Sequence, residues 1–278
     1  MSDLICDVCP KHCNLKQGAT GACRARINDG GKIVPQNYGK ITSLALDPIE
    51  KKPLAEFFSG SKILSVGSYG CNLHCPWCQN NSISQAGDKD VSYRFIPPEE
   101  LTDLALKLKP EGNIGVAYTY NEPLVSYEYV PDCATLVREA GMQNVLVTAG
   151  CVTREISKQV LPLIDAANID LKSFSEDTYK NTIGGDLDTV KTFIEDALSY
   201  GCHVELTTLV VPGVNDSEDE IRSICEYIAS LSPDIPLHIT RFFPRCKMSD
   251  KAPTDLSVMY RFKEIANECL SSVYLGNC

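Results

Sequence analysis

The chain has 278 residues, 44% of them hydrophobic and 22% charged, which is the composition of a folded globular protein rather than a disordered one. Its formal net charge of −10 at pH 7, without a long basic run, disfavours binding to nucleic acid, and no apolar stretch is long enough to span a membrane. Residues 1–13 are polar and do not follow the plan of a secretory signal, so we predict a cytoplasmic protein.

The first feature along the chain is a group of four cysteines, Cys6, Cys9, Cys13 and Cys23. Four thiolates on so short a segment can close a tetrahedral zinc site or hold an auxiliary [4Fe–4S] cluster, and their spacing does not choose between these metals. Disulfides are a third interpretation, which a reducing cytosol disfavours. We therefore predict a small cysteine-rich metal-binding module, which together with a proline-punctuated connector covers residues 1–60.

Residues 61–278 alternate short β-branched runs with segments of helical period, a pattern typical of βα units on a parallel sheet. The predicted strands cover residues 63–68, 114–118, 145–148, 167–171, 204–210 and 237–241. Between them, Val190 and Phe193 belong to one buried helix face, and Ser217 with Glu220 has the pattern of a capping box. The predicted fold class is α/β, a partial (β/α)6 TIM-like barrel whose chemistry is expected at the carboxyl ends of its strands.

The second cysteine group directly follows the first predicted strand of this barrel. Cys71-Asn-Leu-His-Cys75-Pro-Trp-Cys78 presents three thiolates within eight residues on the first βα loop. Thiolates hold iron–sulfur clusters, and a cubane bound by only three of them keeps one iron open for another ligand. The alternatives are three structural cysteines or a zinc knuckle, although zinc knuckles more often pair two close couples of ligands.

This spacing resembles the signature of the radical S-adenosylmethionine (SAM) superfamily, and the aromatic Trp77 before the last cysteine fits it. The resemblance covers nearly the whole chain. It is strongest to the AmmeMemoRadiSam-system radical SAM proteins, within the branch related to pyruvate formate-lyase activating enzymes. The segments that carry it are the cysteine-rich opening, Ala45-Leu-Asp-Pro-Ile-Glu-Lys-Lys-Pro-Leu54, Cys78-Gln-Asn80, Tyr118-Thr-Tyr-Asn-Glu-Pro123, Asp170-Leu-Lys172, Val211-Pro-Gly-Val-Asn-Asp216 and Val273-Tyr-Leu-Gly-Asn277.

The resemblance implies the cofactors and the chemistry. In that superfamily the open iron chelates the amino and carboxylate groups of SAM, and the reduced cluster cleaves SAM to a 5′-deoxyadenosyl radical. Cys71, Cys75 and Cys78 are then the ligands of the [4Fe–4S] cluster that binds SAM. An electron donor such as reduced flavodoxin or ferredoxin is implied as a partner.

Further residues are implied to contact SAM. Tyr120-Asn-Glu-Pro123 resembles the glycine-glycine-glutamate-proline motif that binds the SAM amino group, with Glu122 as the contact, although both glycines are replaced here. Its structural alternative is a polar N-cap for a helix over residues 125–140. Asp170 and Lys172 resemble a pair close to SAM in the activating enzymes, with a surface salt bridge as the alternative. The other expected cofactor-binding residues are Trp77, Asn80, Thr148, His238 and Arg241.

Three functions are compatible with these features. The first is an oxidoreductase of the activating-enzyme type, which abstracts a hydrogen atom from a glycyl residue of a partner protein. The second is radical modification of a small metabolite or a peptide together with AmmeMemo-type partner proteins. The third is a non-enzymatic electron-transfer or metal-scaffold protein, which predicts a fully ligated cluster and no SAM binding.

Overall fold

The computed structural model describes residues 3–278 of the chain, and its first part consists of short strands. They are β1 (Leu4–Ile5), β2 (Asn14–Leu15), β3 (Arg26–Asp29), β4 (Lys32–Pro35), β5 (Lys40–Ile41) and β6 (Ser43–Pro48). β1 pairs with β2 and β3 with β4, both antiparallel. Gly30 and Gly31 connect β3 to β4 with φ of 58° and 82°, a conformation that glycine adopts without steric cost.

The rest of the chain alternates strands and helices. Their order is β7 (Lys62–Gly67), α1 (Asn81–Ser84), β8 (Arg94–Phe95), α2 (Pro98–Lys107), β9 (Asn113–Tyr118), α3 (Tyr129–Glu139), β10 (Gln143–Thr148), α4 (Arg154–Val160), β11 (Ala166–Asp170), α5 (Leu187–Ser199), β12 (His203–Val210), α6 (Glu218–Leu231), β13 (Leu237–Arg241), α7 (Leu256–Asn267) and β14 (Val273–Gly276). A short 3-10 turn, Pro123–Ser126, precedes α3, and a π-helical turn, Thr178–Ile183, precedes α5. None of the helices within residues 3–278 combines the length and the apolar character needed to cross a membrane.

One mostly parallel sheet organises these elements, in the order β14-β13-β12-β11-β10-β9-β7-β6. The strands of this sheet from β7 to β14 all run parallel to one another, whereas the edge strand β6 is antiparallel to β7. The predicted α/β fold class is confirmed, and each predicted strand is present. The edge strands β6 and β14 were not predicted. Because β6 comes from residues assigned to the N-terminal module, the two predicted units share one sheet.

The helices are fixed by local caps and by their buried faces. The Asp186 side chain accepts a hydrogen bond from the backbone of the first turn of α5, whose Val190 and Phe193 are buried. Ser217 Oγ accepts from the Glu220 N–H at 3.2 Å, which is one half of the predicted capping box. The Glu220 carboxylate serves another contact, because it accepts from Phe174 N–H at 2.6 Å.

The connector between β6 and β7 closes the amino end of the sheet. Ile49 and Leu54 are fully buried in one cluster with residues of the parallel strands, among them Ile63 and Ala166 near strand starts. The Asn168 side-chain amide donates to the Pro53 carbonyl at 2.9 Å, and the buried Glu205 carboxylate accepts from the backbone of residues 55–56. Polar side chains inside the barrel therefore supply hydrogen-bond partners for the backbone of the connector. The opposite end, where the carboxyl ends of the strands lie, is the mouth of the barrel.

Candidate active site at the mouth of the barrel

The cysteine loop that follows β7 is held by main-chain hydrogen bonds. Cys71 N–H donates to Cys23 O at 3.1 Å, and Cys78 N–H donates to Cys75 O at 3.2 Å. Cys78 Sγ also lies 3.2 Å from Ser84 Oγ at the end of α1. The loop therefore has a defined path at the mouth, with its three thiols half-buried.

The thiols of this loop share one electrostatic environment. Burial raises the pKa of Cys71 well above its usual value, and the charge of Glu122 raises it further. Burial likewise raises the pKa of Cys75 to about 11, although the positive charge of Lys172 acts in the opposite direction. Bound iron stabilises the thiolate form, so the lysine favours the charge state that a cluster requires.

The donor set is that of an iron–sulfur cluster. Within residues 3–278, no three His, Cys, Asp or Glu side chains have the arrangement that holds a single metal ion. A [4Fe–4S] cubane engages each thiolate at a separate iron, so its sulfur ligands need not converge on one ion. Cys71, Cys75 and Cys78 fit such a group by their chemistry and by their common position on one loop.

Glu122 is the buried carboxylate beside these cysteines. It follows β9 and accepts hydrogen bonds from Thr148 Oγ1 at 2.6 Å, Ala149 N–H at 2.9 Å and Leu124 N–H at 3.1 Å. Burial raises the pKa of Glu122, and these donors partly offset the effect. The bond from Leu124 caps the turn Pro123–Ser126, so the structural alternative of an N-cap is present. The three hydrogen bonds leave the Glu122 carboxylate able to accept from one more donor, because a carboxylate has about four acceptor positions.

Tyr120 and Asn80 form the neighbouring part of the mouth. Tyr120 has φ of 72°, an uncommon conformation for a residue with a side chain. Its carbonyl accepts from the Asn80 side-chain amide at 2.8 Å, which joins the loop after β9 to the residues that follow the cysteines. Its hydroxyl donates to Asp47 at 2.7 Å, and Lys52 Nζ lies 4.7 Å from its ring centroid. The predicted Asn80 and the motif around Glu122 are therefore brought together.

Asp170 and Lys172 form an ion pair at the carboxyl end of β11. Lys172 Nζ lies 2.7 Å from Asp170 Oδ2, and the lysine backbone N–H donates to Tyr179 OH at 3.0 Å. Burial disfavours the charged ammonium, but Asp170 and Cys75 together raise the pKa of Lys172 above its usual value. The lysine side chain is only 17% exposed. The pair consequently belongs to the mouth of the barrel and is not a solvated surface bridge.

His238 is placed differently from the prediction. It is the second residue of β13 and therefore lies toward the amino end of the strand, where its Nε2 is 2.6 Å from the buried Glu205 carboxylate. Its ring stacks on Tyr274 at 5.2 Å. His238 therefore lies at the start of β13 and not at its carboxyl end, and its contact with SAM stays a prediction.

Trp77 and Arg241 have other partners in the structure. Trp77 is 5% exposed and packs in the main core, so it anchors the cysteine loop to the interior of the barrel. Arg241 ends β13 at the correct side of the sheet, but its Nε donates to Thr254 O at 2.7 Å and its guanidinium lies 5.0 Å from the Phe243 ring centroid. Neither residue forms a hydrogen bond or an ion pair with Glu122 or Lys172.

A cleft beside the cysteine loop was not predicted from the sequence. It has a volume of about 510 Å³ and is lined by Gln79, Asn80, Asn81, Pro244, Arg245, Cys246 and Ser249. The Lys247 N–H donates to Pro76 O at 2.8 Å, which fixes the loop after β13 against the cysteine loop. The one signal in the sequence was that Arg245 closely follows a predicted strand end, a position at which functional side chains collect.

The fold and this site define the class of protein. A parallel partial barrel with three thiols on its first loop, beside a buried carboxylate and a lysine, is an arrangement for an iron–sulfur enzyme that acts at the barrel mouth. The family model described as Radical SAM superfamily matches residues 65–225. The chain belongs to the radical SAM superfamily, and it is an enzyme whose substrate is SAM.

Similar proteins confirm the relation to activating enzymes. The chain is 39% identical over 274 residues to the uncharacterized protein MJ0808 of Methanocaldococcus jannaschii, covering 98% of this chain and 80% of that protein. It is 27% identical over 166 residues to the pyruvate formate-lyase-activating enzyme of Clostridium pasteurianum, covering 58% and 67% of the two chains. For the pyruvate formate-lyase 1-activating enzyme of Escherichia coli K12 the identity is 24% over 161 residues, covering 57% and 65%. The AmmeMemoRadiSam type stays a prediction.

Solved structures support the fold. Streptococcus suis SuiB bound to S-adenosylmethionine has a TM-score of 0.60 at 14% identity, covering 78% of this chain and 52% of that one. QueE from Escherichia coli has a TM-score of 0.54 at 14% identity, covering 85% and 92%. At such low identity the likeness concerns the fold alone.

Proposed function

We propose that this chain cleaves SAM reductively at a [4Fe–4S] cluster held by Cys71, Cys75 and Cys78, and that it abstracts hydrogen from a glycyl residue of a partner protein. The observation that carries this proposal is the cysteine loop beside Glu122 and Lys172, in a chain related to pyruvate formate-lyase activating enzymes. When bound and reduced, the cluster supplies the electron that splits SAM into methionine and a 5′-deoxyadenosyl radical.

The protein groups hold and orient SAM. The acceptor capacity left on Glu122 suits the SAM amino group, and Thr148 keeps that carboxylate in position. Lys172 is a buried cation suited to the methionine carboxylate, and Asp170 can accept from the ribose hydroxyls. Asn80 steadies the loop that carries Glu122. Trp77 excludes water from beneath the cysteines by packing.

The reaction needs a one-electron reductant and a target. A reduced flavodoxin or ferredoxin in the cytoplasm is the electron donor in this proposal. The polar cleft between Asn81 and Arg245 adjoins the cysteine loop and suits a backbone segment of a protein, because amide and guanidinium groups bind peptide carbonyls. Hydrogen abstraction there leaves 5′-deoxyadenosine and a carbon radical on the target.

The radical step is tested by anaerobic reconstitution with iron and sulfide, reduction with dithionite, addition of SAM and measurement of 5′-deoxyadenosine. The Cys75→Ala variant should lose the iron bound by the cysteine loop and form no product, whereas Cys202→Ala, which removes a buried thiol elsewhere, should retain both. An iron-loaded protein that forms no 5′-deoxyadenosine would contradict the proposal.

The target is tested separately by electron paramagnetic resonance. Candidate partner proteins are incubated with the reduced enzyme and SAM, and a doublet from a backbone glycyl radical is expected in one of them. Product formation without such a signal would favour the modification of a small metabolite or a peptide.

A further inference from the structure

The N-terminal cysteines lie against the cysteine loop of the active site. Cys71 N–H donates to Cys23 O at 3.1 Å, so a cysteine of the active-site loop is hydrogen-bonded to one of the four N-terminal cysteines. Gly70 permits this approach, because a Cβ there would lie 2.6 Å from Cys23 O. Main-chain contact therefore joins the segment that carries Cys23 to the loop that carries Cys71.

The four N-terminal cysteines lie on one short, hydrogen-bonded segment. Cys6, which follows β1, donates its N–H to the carbonyl of Cys13, which precedes β2, at 3.0 Å. A Cβ on Gly21, two residues before Cys23, would lie 3.7 Å from Cys13 Sγ, so the Cys13 thiol lies against the segment that carries Cys23. Cys6, Cys9 and Cys23 are each less than one tenth exposed. Together with Cys13, which is half-buried, they are four potential sulfur ligands separate from the active-site cysteines.

We propose that Cys6, Cys9, Cys13 and Cys23 hold a second iron–sulfur cluster, which passes electrons to the active site across the hydrogen bond from Cys71 to Cys23. The proposal rests on the proposed function, since it supplies the electron for SAM cleavage. One electron moves from a reduced flavodoxin or ferredoxin to the N-terminal cluster. The same electron then moves to the active-site cluster, so the N-terminal cluster returns to its oxidised state and no proton is transferred.

The connection between the two sites is short and continuous. It runs from the Cys23 side chain through its own carbonyl, across one hydrogen bond, and along the backbone and side chain of Cys71. A structural zinc ion would not use such a link, because zinc has no redox chemistry in proteins.

The packing of the N-terminal segment also favours a redox role. A structural metal is needed chiefly where a small module cannot bury a core of its own. Here Cys6, Val8 and Leu15 belong to the same hydrophobic core as the barrel strands. Thr153 N–H and Thr153 Oγ1 further donate to Val8 O and Asp7 O at 3.0 and 2.7 Å. The segment is thus held by the barrel, which leaves the four thiols for another purpose.

The identity of the N-terminal metal is tested in a variant without the active-site ligands. The full chain carrying Cys71→Ala, Cys75→Ala and Cys78→Ala is purified anaerobically, and its iron, sulfide and zinc are measured. About four irons and four sulfides per chain are expected, with a reduced-cluster signal in electron paramagnetic resonance. Zinc without iron, or no bound metal in a protein with native circular dichroism, would overturn the proposal.

The electron relay is tested by comparing two reductants. In the Cys9→Ser and Cys13→Ser variants, the rate of 5′-deoxyadenosine formation with reduced flavodoxin should fall steeply relative to the rate with dithionite, a small reductant that needs no relay. Cys202→Ser serves as the matched control and should keep the wild-type ratio. A flavodoxin-to-dithionite ratio unchanged in both N-terminal variants would overturn the relay.

A spectroscopic measurement on the wild-type protein completes the test. Full reduction should give a signal broadened by magnetic interaction between the two clusters, and this broadening should be absent from the triple active-site variant. Two independent, unbroadened signals would contradict the close approach. Loss of dithionite-driven SAM cleavage in the wild-type protein would instead refute the proposed function, so the two failures are distinguishable.

Discussion

Replacing Glu205 with glutamine should lower the free energy of unfolding by about 3 kcal/mol at pH 7. The carboxylate is fully buried, accepts from the N–H groups of Ala55 and Glu56 at 2.9 and 2.8 Å, and meets His203 and His238 at 2.9 and 2.6 Å. Burial alone would raise the pKa of Glu205, but the two histidines and the two N–H groups lower it from 4.5 to about 2. At about 1.4 kcal/mol for each tenfold change in acidity, this shift amounts to about 3 kcal/mol.

The pH dependence follows from the direction of this shift. A carboxyl whose pKa is depressed by folding stabilises the folded state above its unfolded pKa and loses that contribution as the pH falls through its folded pKa. The stabilisation by Glu205 should therefore be complete at pH 7 and decline as the pH falls from 4.5 toward about 2. Glutamine keeps the shape of the side chain, but its NH2 group faces donors that need an acceptor.

The assay is urea unfolding followed by circular dichroism, on protein from which iron has been removed in every sample. Glu56→Gln is the matched control, because Glu56 is exposed and accepts only from Tyr274 OH at 2.9 Å, and it should change stability by less than about 0.5 kcal/mol. The reasoning is refuted if the two variants are equally stable at pH 7, or if the difference between them is undiminished near pH 3.

Three other substitutions test contacts in the connector and at the mouth of the barrel. Lys52→Met should destabilise the fold by about 3 kcal/mol or more in thermal unfolding, because Asp47 would lose its buried partner. The control is Lys51→Met, which should cost less than about 0.5 kcal/mol, because the exposed Lys51 ammonium lies 3.4 Å from Asp47. Gly70→Ala should lower the melting temperature more than Gly60→Ala. Both glycines have a positive φ, of 87° and 82°, but only a Cβ on Gly70 would collide with Cys23 O. Equal melting temperatures would contradict the close approach of Gly70 to Cys23. Asp170→Asn should weaken SAM binding to the cluster-loaded protein about tenfold in calorimetry, while the exposed Asp177→Asn should leave it unchanged.

The parallel strands could be predicted from sequence because each is a compact β-branched run between helical segments. The two edge strands could not. β6 ends in Pro48, and none of its six residues is buried, so it lacks the alternation of a strand with one buried face. β14 has only four residues, Val273–Gly276, and its pairing with β13 is a long-range contact that no local pattern reveals.

The candidate site divides in the same way. Cys71 to Cys78, and Asp170 with Lys172, are close in sequence, so their spacing could predict that they share a surface. The misplacement of His238 arose because its partner, Glu205, is 33 residues away and belongs to another strand. A buried polar side chain takes the partner that satisfies it, wherever that partner lies in the chain.

Tyr120 shows how such a long-range partner changes a local motif. The related motif has glycine at this position, and glycine adopts a positive φ at no steric cost, whereas a residue with a Cβ is strained by about 1 kcal/mol or more. Tyr120 nevertheless has φ of 72°. Its hydroxyl is hydrogen-bonded to Asp47, and Lys52 pairs with that carboxylate at 2.9 Å while lying over the tyrosine ring. These contacts with Asp47 and Lys52 offset the backbone strain at Tyr120. A tyrosine can therefore occupy a position where glycine is usual.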